Sequence, residues 1–298
     1  MEYRHILHML SPLRHASPFD VNMAVDAGFD VVVPYTEVEL DEIVGLIQDA
    51  IFSRGPKGAK ATGAFIGGKN AELALDMLDA ARGAMVPPFE MSVFADPAGS
   101  FTTAAAMVAK VEKHLKEREK SDWKGRKVAV FGGTGVVGFA SAIIAAGEGA
   151  DVVLVGHDGE ARVKRLAESA KQRFSVEMRY GDGSSPAAKL RILSDTEIVF
   201  AAARAGVEVL SQADLTKAKK LRIVADVNAV PPAGVEGIDP HDDGKPIPGT
   251  EAIGIGALAI GVIKSKVQAG LLRKMIESDK PLYLDFRDAF TLARQLVA

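Results

Sequence analysis

The feature that most constrains the fold is a glycine-rich turn between two short apolar strands, within residues 128–159. The first strand, VAVF at 128–131, is apolar and rich in β-branched residues. A G-x-G-x-x-G pattern at 133–138 follows and opens a helix of small residues, and the apolar segment DVVLV at 151–155 comes next. A strand, a glycine turn, a helix and a second strand in this order form a βαβ unit with parallel strands. The segment therefore predicts an α/β fold.

Each glycine of the pattern has an expected physical role. We expect Gly133 to permit the tight turn, Gly135 to let the backbone approach a pyrophosphate, and Gly138 to let the helix pack on the strand. The helix N-terminus supplies free N–H groups and the positive end of its dipole. The turn therefore predicts a dinucleotide site; the alternative is a βα turn whose residues are small for packing alone.

The end of the second strand normally distinguishes a free ribose from a phosphorylated one. An acidic residue there would bind the ribose hydroxyls and repel a 2′-phosphate, whereas an Arg–Lys pair would attract it. This chain has His157, which is mostly neutral near pH 7, and then Asp158 one residue late, with Arg162 on the following helix. Asp158 could instead cap that helix. We expect a permissive pocket that takes NAD or NADP.

Two later segments also suit a cofactor crevice. AAARAG at 201–206 ends a predicted strand with small residues, so Ala202 and Ala203 leave room for a ribose or nicotinamide. Asn228, in ADVNAVPPAG, could hydrogen-bond the carboxamide or the substrate, or could simply form a turn. The expected dinucleotide-binding residues are Gly133, Thr134, Gly135, Val136, Val137, Gly138, His157, Asp158, Arg162, Ala202, Ala203 and Asn228.

Strands alternate with helices along most of the 298 residues, which predicts two α/β domains. We expect an N-terminal domain of residues 1–102 plus 272–298, and a Rossmann-type, doubly wound parallel sheet in residues 103–271. The segment 54–60, RGPKGAK, is expected to be a turn, and 102–120 one long helix. The strands expected in the second domain are 126–131, 151–155, 175–180, 197–202 and 221–226.

Composition excludes several classes of protein. The net charge is −3, so the charge balance indicates neither nucleic acid nor an anionic membrane as a partner. The chain has no cysteine, which removes disulfides and zinc–thiolate sites, and its histidines lack metal-ligand spacing. The N-terminus has no secretory pattern, and the apolar runs are shorter than the roughly 20 residues of a membrane span. We expect a cytoplasmic protein without a metal.

The chain lacks the usual acid–base partners of dehydrogenases on this fold. No tyrosine is followed four residues later by lysine, as it is in short-chain dehydrogenases. Hydride transfer without a base suits a substrate that becomes a resonance-stabilised cation. Oxidation of a methylene bridge between two amine nitrogens is such a reaction, and the enzyme then acts by positioning.

Several motifs together resemble one family. They are SPFDVNMAVDAG (17–28), IFSRGPKG (51–58), FIGGKNAE (65–72), FADPAGSFTTAAA (94–106), FGGTGVVG (131–138), ADVNAVPPAG (225–234) and GIGALAIG (254–261). The chain resembles the methylene-tetrahydromethanopterin dehydrogenases of methylotrophic bacteria, and more closely the branch that uses NAD as well as NADP. The strictly NADP branch carries basic residues where this chain has His157 and Asp158, and a lysine where this chain has Ala259.

The resemblance implies an oxidoreductase acting on 5,10-methylene-(dephospho)tetrahydromethanopterin in formaldehyde oxidation. It implies a two-domain subunit with the pterin in the interdomain cleft, and a homo-oligomer, a trimer or hexamer. The pterin-binding residues that lie in its motifs are Asp20, Lys69, Asp96, Ser100, Thr102 and Thr103. Lys264, one turn beyond Ala259, is a further candidate as a substitute for the lysine of the NADP branch. An Asp can accept hydrogen bonds from the pyrimidine amino group, whereas Thr102 could simply cap a helix and Lys69 could be a solvated turn residue.

Three alternatives stay open at this point. A methylene-tetrahydrofolate dehydrogenase would use the same chemistry. A two-domain dehydrogenase of the amino-acid or shikimate type would need a Lys–Asp pair, for which Asp96 with Lys69 is the candidate. A catalytically silent dinucleotide sensor would bind NAD and turn nothing over.

Overall fold

The computed structural model describes residues 3–298, which form two compact units. Its elements in chain order are β1 (Ile6–Leu10), α1 (Pro18–Ala27), β2 (Val31–Tyr35), α2 (Ile43–Phe52), α3 (Gly55–Lys60), β3 (Thr62–Ile66), α4 (Ala71–Gly83), β4 (Ser92–Ala95), α5 (Ser100–Arg118), β5 (Lys127–Phe131), α6 (Val136–Gly147), β6 (Asp151–Gly156), α7 (Ala161–Phe174), β7 (Arg179–Asp182), α8 (Pro186–Leu193), β8 (Ile198–Ala201), α9 (Gln212–Lys217), β9 (Ile223–Asp226), β10 (Asp243–Pro246), β11 (Ile253–Ile255), α10 (Ala257–Glu277), β12 (Tyr283–Leu284) and α11 (Phe286–Val297).

The first unit, unit 1, runs to Thr102 and also takes in Ser265–Leu292. Its five strands are all parallel, in the order β12-β4-β3-β1-β2. Every residue of β3 is buried, as expected for a strand covered by helices on both faces. The direction of strand order reverses between β1 and β3, and such a reversal opens a crevice at the carboxyl ends of the strands.

Helix α1 illustrates how local sequence sets the boundaries of an element. The Ser17 hydroxyl accepts a hydrogen bond from the Asp20 N–H at 3.3 Å, Pro18 occupies the first helical turn, and Gly28 ends the helix at φ 113°. Only glycine adopts that left-handed conformation readily. The start and stop expected from the sequence are confirmed.

The second unit, unit 2, comprises Thr103–Lys264 and Ala293–Ala298. Its strand order is β10-β11-β9-β8-β5-β6-β7, with every pair parallel except β10 with β11. Apart from β10, this is the Rossmann order, in which the first strand, β5, lies at the centre. The predicted α/β fold class is confirmed. The domain boundaries expected from the sequence stay a prediction.

Two local expectations were wrong. The strand expected at 175–180 is β7 at Arg179–Asp182, because α7 runs to Phe174 and Ser175 ends it at φ 57°. Residues 175–178 are therefore the connection to β7. The segment expected to be a turn at 54–60 contains the short helix α3, where Pro56 stands in the first helical turn.

One of the two outer strands in each sheet carries a proline that discourages further pairing. Pro34 lies in β2, the last strand of the unit 1 sheet, and Pro246 lies in β10, the last strand of the unit 2 sheet. Proline lacks the N–H that a further strand would need.

Within residues 3–298, no helix combines the length and apolar character that crossing a bilayer requires.

Candidate dinucleotide site

A cavity of about 560 Å³ lies at the carboxyl ends of the central strands of unit 2. It is bounded by the glycine turn after β5, by the end of β6 and by the loop after β8. Connections leave the sheet in opposite directions at β5 and β8, which is where dinucleotides bind in this fold. The expected residues that line the cavity are Thr134, Gly135, His157, Arg162, Ala202 and Ala203.

The tight turn belongs to Gly132, and the role expected for Gly133 was wrong. Gly132 has φ 78°, and a Cβ there would meet the backbone of Ala202. Gly133 instead allows close packing, since a Cβ there would lie 2.8 Å from Leu154 Cδ2. The Gly135 N–H closes the turn by donating to the Gly132 carbonyl at 2.9 Å.

Gly138 brings α6 onto the turn itself. A Cβ at this position would lie 2.5 Å from the Gly132 carbonyl oxygen, so a side chain would push the helix away. The helix then continues through a run of small residues, and positions 138–145 are all buried. The N-terminus of α6 is therefore held against the turn that borders the cavity.

The first turn of α6 is left open. Gly135 precedes the helix in an extended conformation, with φ −84° and ψ 162°, and among the described residues no side chain caps this end. Val136 and Val137 form the first helical positions. The expected cofactor residues that are not among the described residues lining the cavity are Gly133, Val136, Val137, Gly138, Asp158 and Asn228. Free N–H groups at a helix N-terminus are the usual ligands of a pyrophosphate.

The part of the cavity next to the end of β6 is lined by His157 and Arg162. Asp158 Oδ2 lies 3.3 Å from Arg162 Nη1, and Asp158 Oδ1 lies 3.9 Å from His157 Nδ1. The residue that precedes α7 is Glu160, and no side-chain hydrogen bond caps this helix in the described chain. Asp158 is therefore not a helix cap. Its carboxylate lies near His157 and Arg162, which line the cavity.

The opposite wall contains residues that the sequence reasoning missed. Val207 and Val209 contribute apolar surface after β8, and Lys189 and Arg204 contribute cations. Lys189 Nζ donates to the Val209 carbonyl at 2.7 Å. The Val-x-Val spacing after AAARAG could have indicated the apolar wall. Lys189 comes from α8, which is distant in sequence, and no local pattern marks it.

Asn228 organises the loop after β9. Its Oδ1 accepts hydrogen bonds from the N–H groups of Gly206 at 3.2 Å and Val230 at 3.0 Å. Its Nδ2 donates to the Pro232 carbonyl at 2.8 Å. These bonds favour the turn-forming alternative over direct contact with a carboxamide.

A buried carboxylate underlies the same loop. Asp226, at the end of β9, is 2% exposed and accepts hydrogen bonds from the N–H groups of Asn228 at 2.9 Å and Val235 at 3.0 Å. Burial raises the pKa of Asp226, and these backbone bonds oppose the increase. A Cβ at Gly234 would lie 2.5 Å from Asp226 Oδ1, so the loop closes tightly on the carboxylate.

In unit 1, the expected pterin residues fall into buried and exposed groups. Asp20 is buried, and its Oδ1 accepts a hydrogen bond from Gln268 Nε2 at 2.7 Å. Gln268 lies on α10 and was missed by the sequence reasoning. Lys69 is exposed after β3, and Ser100 is half-buried at the start of α5.

Asp96 and Thr102 hold the start of α5. Asp96 accepts hydrogen bonds from the Phe101 N–H at 2.9 Å and from the Thr102 hydroxyl at 2.7 Å. Both Asp96 and Thr102 are fully buried. The described partners of the Asp96 carboxylate do not include Lys69, which weighs against the Lys–Asp pair of the shikimate-type alternative. Thr103 on α5 and Lys264 on α10 belong to unit 2 and are half-buried.

The side chain of Arg54 is held by contacts within unit 1, whereas its basic neighbours Lys57 and Lys60 are exposed. Its guanidinium donates to Thr62 Oγ1 and to the Arg4 carbonyl, both at 2.9 Å, and lies 5.2 Å from the Tyr3 ring centroid. Lys57 and Lys60 are exposed on α3.

The strand order and the open glycine turn define unit 2 as a Rossmann-type domain, the class of fold that binds dinucleotides, accompanied by a second α/β unit. Comparison with known proteins identifies the family. The family model "Methylene-tetrahydromethanopterin dehydrogenase, N-terminal" matches residues 18–98. The NAD(P)-dependent methylenetetrahydromethanopterin dehydrogenase of Methylorubrum extorquens is 54% identical over 293 residues, covering 98% of this chain and 99% of that protein. The chain therefore belongs to the methylenetetrahydromethanopterin dehydrogenase family.

Two further similarities are more distant. A second protein of Methylorubrum extorquens, named bifunctional protein MdtA, is 35% identical over 280 residues and covers 94% of each chain. The crystal structure of shikimate 5-dehydrogenase from Listeria monocytogenes, solved with shikimate and NAD, has a TM-score of 0.51 at 15% identity and covers 94% of this chain and 93% of that one. At that identity the second similarity supports the fold alone.

Proposed function

We propose that this protein oxidises 5,10-methylene-(dephospho)tetrahydromethanopterin to the methenyl form by direct hydride transfer to NAD(P)+. The observation that carries the proposal is the 54% identity with the Methylorubrum extorquens enzyme over almost the whole of both chains. The reaction belongs to formaldehyde oxidation and one-carbon metabolism.

The chemistry needs little from the protein beyond positioning. The hydride leaves the methylene carbon with both bonding electrons, and the positive charge that remains is shared by the two adjacent nitrogens. No proton has to be removed, so no general base is required. Holding both reactants in a suitable geometry supplies much of the rate acceleration in such reactions.

The cavity of unit 2 suits a nicotinamide dinucleotide, which would accept the hydride. Its volume of about 560 Å³ is within the usual range for ligand sites. The N–H groups at the start of α6 would bind the pyrophosphate, and Gly132 keeps the backbone close enough to do so. His157, Asp158 and Arg162 would contact the adenosine ribose, and Ala202 and Ala203 leave room beside the glycine turn.

For the pterin we propose the crevice of unit 1 where the strand order reverses between β1 and β3. Lys69 follows β3 and Asp96 follows β4, at the carboxyl ends where ligands bind in sheets of this kind. Asp20 would accept hydrogen bonds from the pyrimidine amino group, and Asp96 and Thr102 would support the loop that carries Ser100. The proposed pterin-binding residues of unit 1 are Asp20, Lys69, Asp96, Ser100 and Thr102. Thr103 and Lys264 lie in unit 2 and stay an expectation from the resemblance.

The test is a steady-state assay of the purified protein with each pterin and each nicotinamide. We expect reduction of NAD+ and NADP+ with methylene-tetrahydromethanopterin, and a slower reaction with methylene-tetrahydrofolate. A faster reaction with the folate would reassign the substrate. If neither pterin supports reduction while the dinucleotides still bind, the protein is a dinucleotide sensor rather than this dehydrogenase.

We also propose that the protein acts in the cytoplasm as a homo-oligomer, a trimer or a hexamer. Large apolar side chains exposed on and before α2 support self-association, namely Leu40, Val44 and Phe52. Light scattering coupled to gel filtration tests this proposal. The expected mass is three or six times that of one chain, and the mass of a single chain would contradict it.

A further inference from the structure

The ion pair between Asp158 and Arg162 stands at the rim of the dinucleotide cavity. The two side chains are four residues apart across the start of α7, with Oδ2 and Nη1 3.3 Å apart. They are 44% and 57% exposed, so neither is held by packing. Arg162 lines the cavity and Asp158 does not.

The end of the second strand is where a Rossmann fold normally distinguishes a free 2′-hydroxyl from a 2′-phosphate on the ribose. An acidic residue there favours the free 2′-hydroxyl, and a cation favours the 2′-phosphate. The chain presents both, and each partially neutralises the other. An exposed ion pair at this spacing is weak, so a ligand that offers a better partner to either side chain can break it.

We propose that Asp158 sets the choice between NAD and NADP by holding Arg162 in an ion pair that a 2′-phosphate must break. With NAD, the pair persists, because the 2′-hydroxyl offers Arg162 no competing charge. With NADP, the guanidinium moves to the phosphate, which has more charge than a carboxylate and accepts two parallel hydrogen bonds from arginine. The exchange is nearly balanced, which explains how one site uses both cofactors. The inference rests on the proposed dinucleotide site.

Two single variants and their combination test the exchange. Asp158→Asn keeps the shape and removes the charge, and should raise the ratio of kcat/KM for NADP to that for NAD about tenfold, because Arg162 no longer has a competing partner. Arg162→Gln should lower that ratio about tenfold, because the uncharged amide cannot pair with the 2′-phosphate. In the double variant, the gain from Asp158→Asn should fall below about twofold, since the two residues act as a unit.

Two further variants show whether the ratio depends on the Asp158–Arg162 ion pair itself or on any loss of negative charge. Asp158→Glu retains the carboxylate and should keep the ratio near that of the unaltered protein. Asp195→Asn removes an exposed carboxylate that pairs with Lys220 at 2.6 Å and does not line the cavity, and should leave the ratio unchanged. An unchanged ratio in Asp158→Asn, or the same gain with and without Arg162, would overturn the inference.

Direct binding measurements distinguish this inference from the proposed function. Calorimetric titration with NAD+ and with NADP+, without any pterin, reports the dinucleotide site alone. If neither binds, the proposed dinucleotide site is wrong. If both bind, and the two single variants and their combination show no coupling between Asp158 and Arg162, the site stands and the inference is wrong.

Discussion

At the residue scale, Gly132 shows most clearly what a single position contributes. It combines a left-handed φ of 78° with an approach to the Ala202 backbone that leaves no space for a side chain. The G-x-G-x-x-G pattern predicted that the next residue, Gly133, makes the tight turn. The pattern gives the spacing of glycines and carries no information about their φ angles. The location of the turn was predictable from the sequence, but the residue that makes it was not.

Gly132→Ala should therefore weaken dinucleotide binding at least about tenfold, because an L-residue in this conformation is strained by roughly 1–2 kcal/mol before any clash. The matched control is Gly147→Ala at the end of α6, where a Cβ would meet no neighbouring atom within 4 Å. Calorimetric titration with NAD+ measures both. Equal binding by the two variants would mean that the turn does not position the pyrophosphate.

A second residue-scale prediction concerns Asp226. Asparagine has one acceptor oxygen, so Asp226→Asn leaves one of the two backbone donors at Asn228 and Val235 without its bond. The loss in stability should be about 1–3 kcal/mol, measured by urea unfolding.

The pH dependence of that loss follows from the direction of the pKa shift. Burial raises the pKa of Asp226 above its unfolded value of 3.8. The unaltered protein therefore gains stability relative to the variant as pH falls from the raised pKa towards 3.8, and loses that advantage as pH rises through the raised pKa. A difference that shrinks with acidity would contradict the assignment.

At the element scale, the boundaries of a helix were predictable where side chains mark them. Ser17, Pro18 and Gly28 mark α1, and the structure agrees. Nothing comparable marks the end of α7, because Ser175 adopts a left-handed conformation that is uncommon for residues other than glycine. The strand after it was consequently placed too early.

The contact between α1 and α10 links two elements that are far apart in sequence. Gln268→Ala removes the hydrogen bond from Nε2 to the buried Asp20 carboxylate, and should cost about 1.5–3 kcal/mol of stability. Gln268→Glu should cost more near neutral pH, since it places a second carboxylate there, and should recover as acid protonates the pair. Urea unfolding at two pH values measures both, and equal losses at the two pH values in Gln268→Glu would argue against the contact.

At the scale of the whole molecule, the two sheets have different strand orders, and each is typical of a ligand-binding α/β unit. Alternating strands and helices predicted the fold class and the Rossmann sheet. Lys189 and the buried Gln268 at the candidate sites were not predictable, because they come from helices that only the folded chain brings near. Local patterns report turns and caps, whereas site composition depends on tertiary packing.

Binding at the dinucleotide site should also raise the free energy of unfolding of the whole protein. A ligand that binds only the folded state at about 100 times its Kd stabilises that state by about 2.7 kcal/mol. NADP+ should therefore raise the thermal midpoint of the unaltered protein and raise that of Gly132→Ala by a smaller amount. Scanning fluorimetry measures both midpoints, and an equal rise in both would place the stabilising ligand elsewhere.

The prolines in β2 and β10 restrict how copies of this chain can meet. A strand that approached either edge would find a missing donor, and at β10 also the Lys245 ammonium. Growth of the sheets from one molecule into the next is therefore blocked at these edges. Contacts between copies at these two edges would have to use side chains in place of backbone hydrogen bonds, which disfavours open-ended growth of the sheets in a crowded solution.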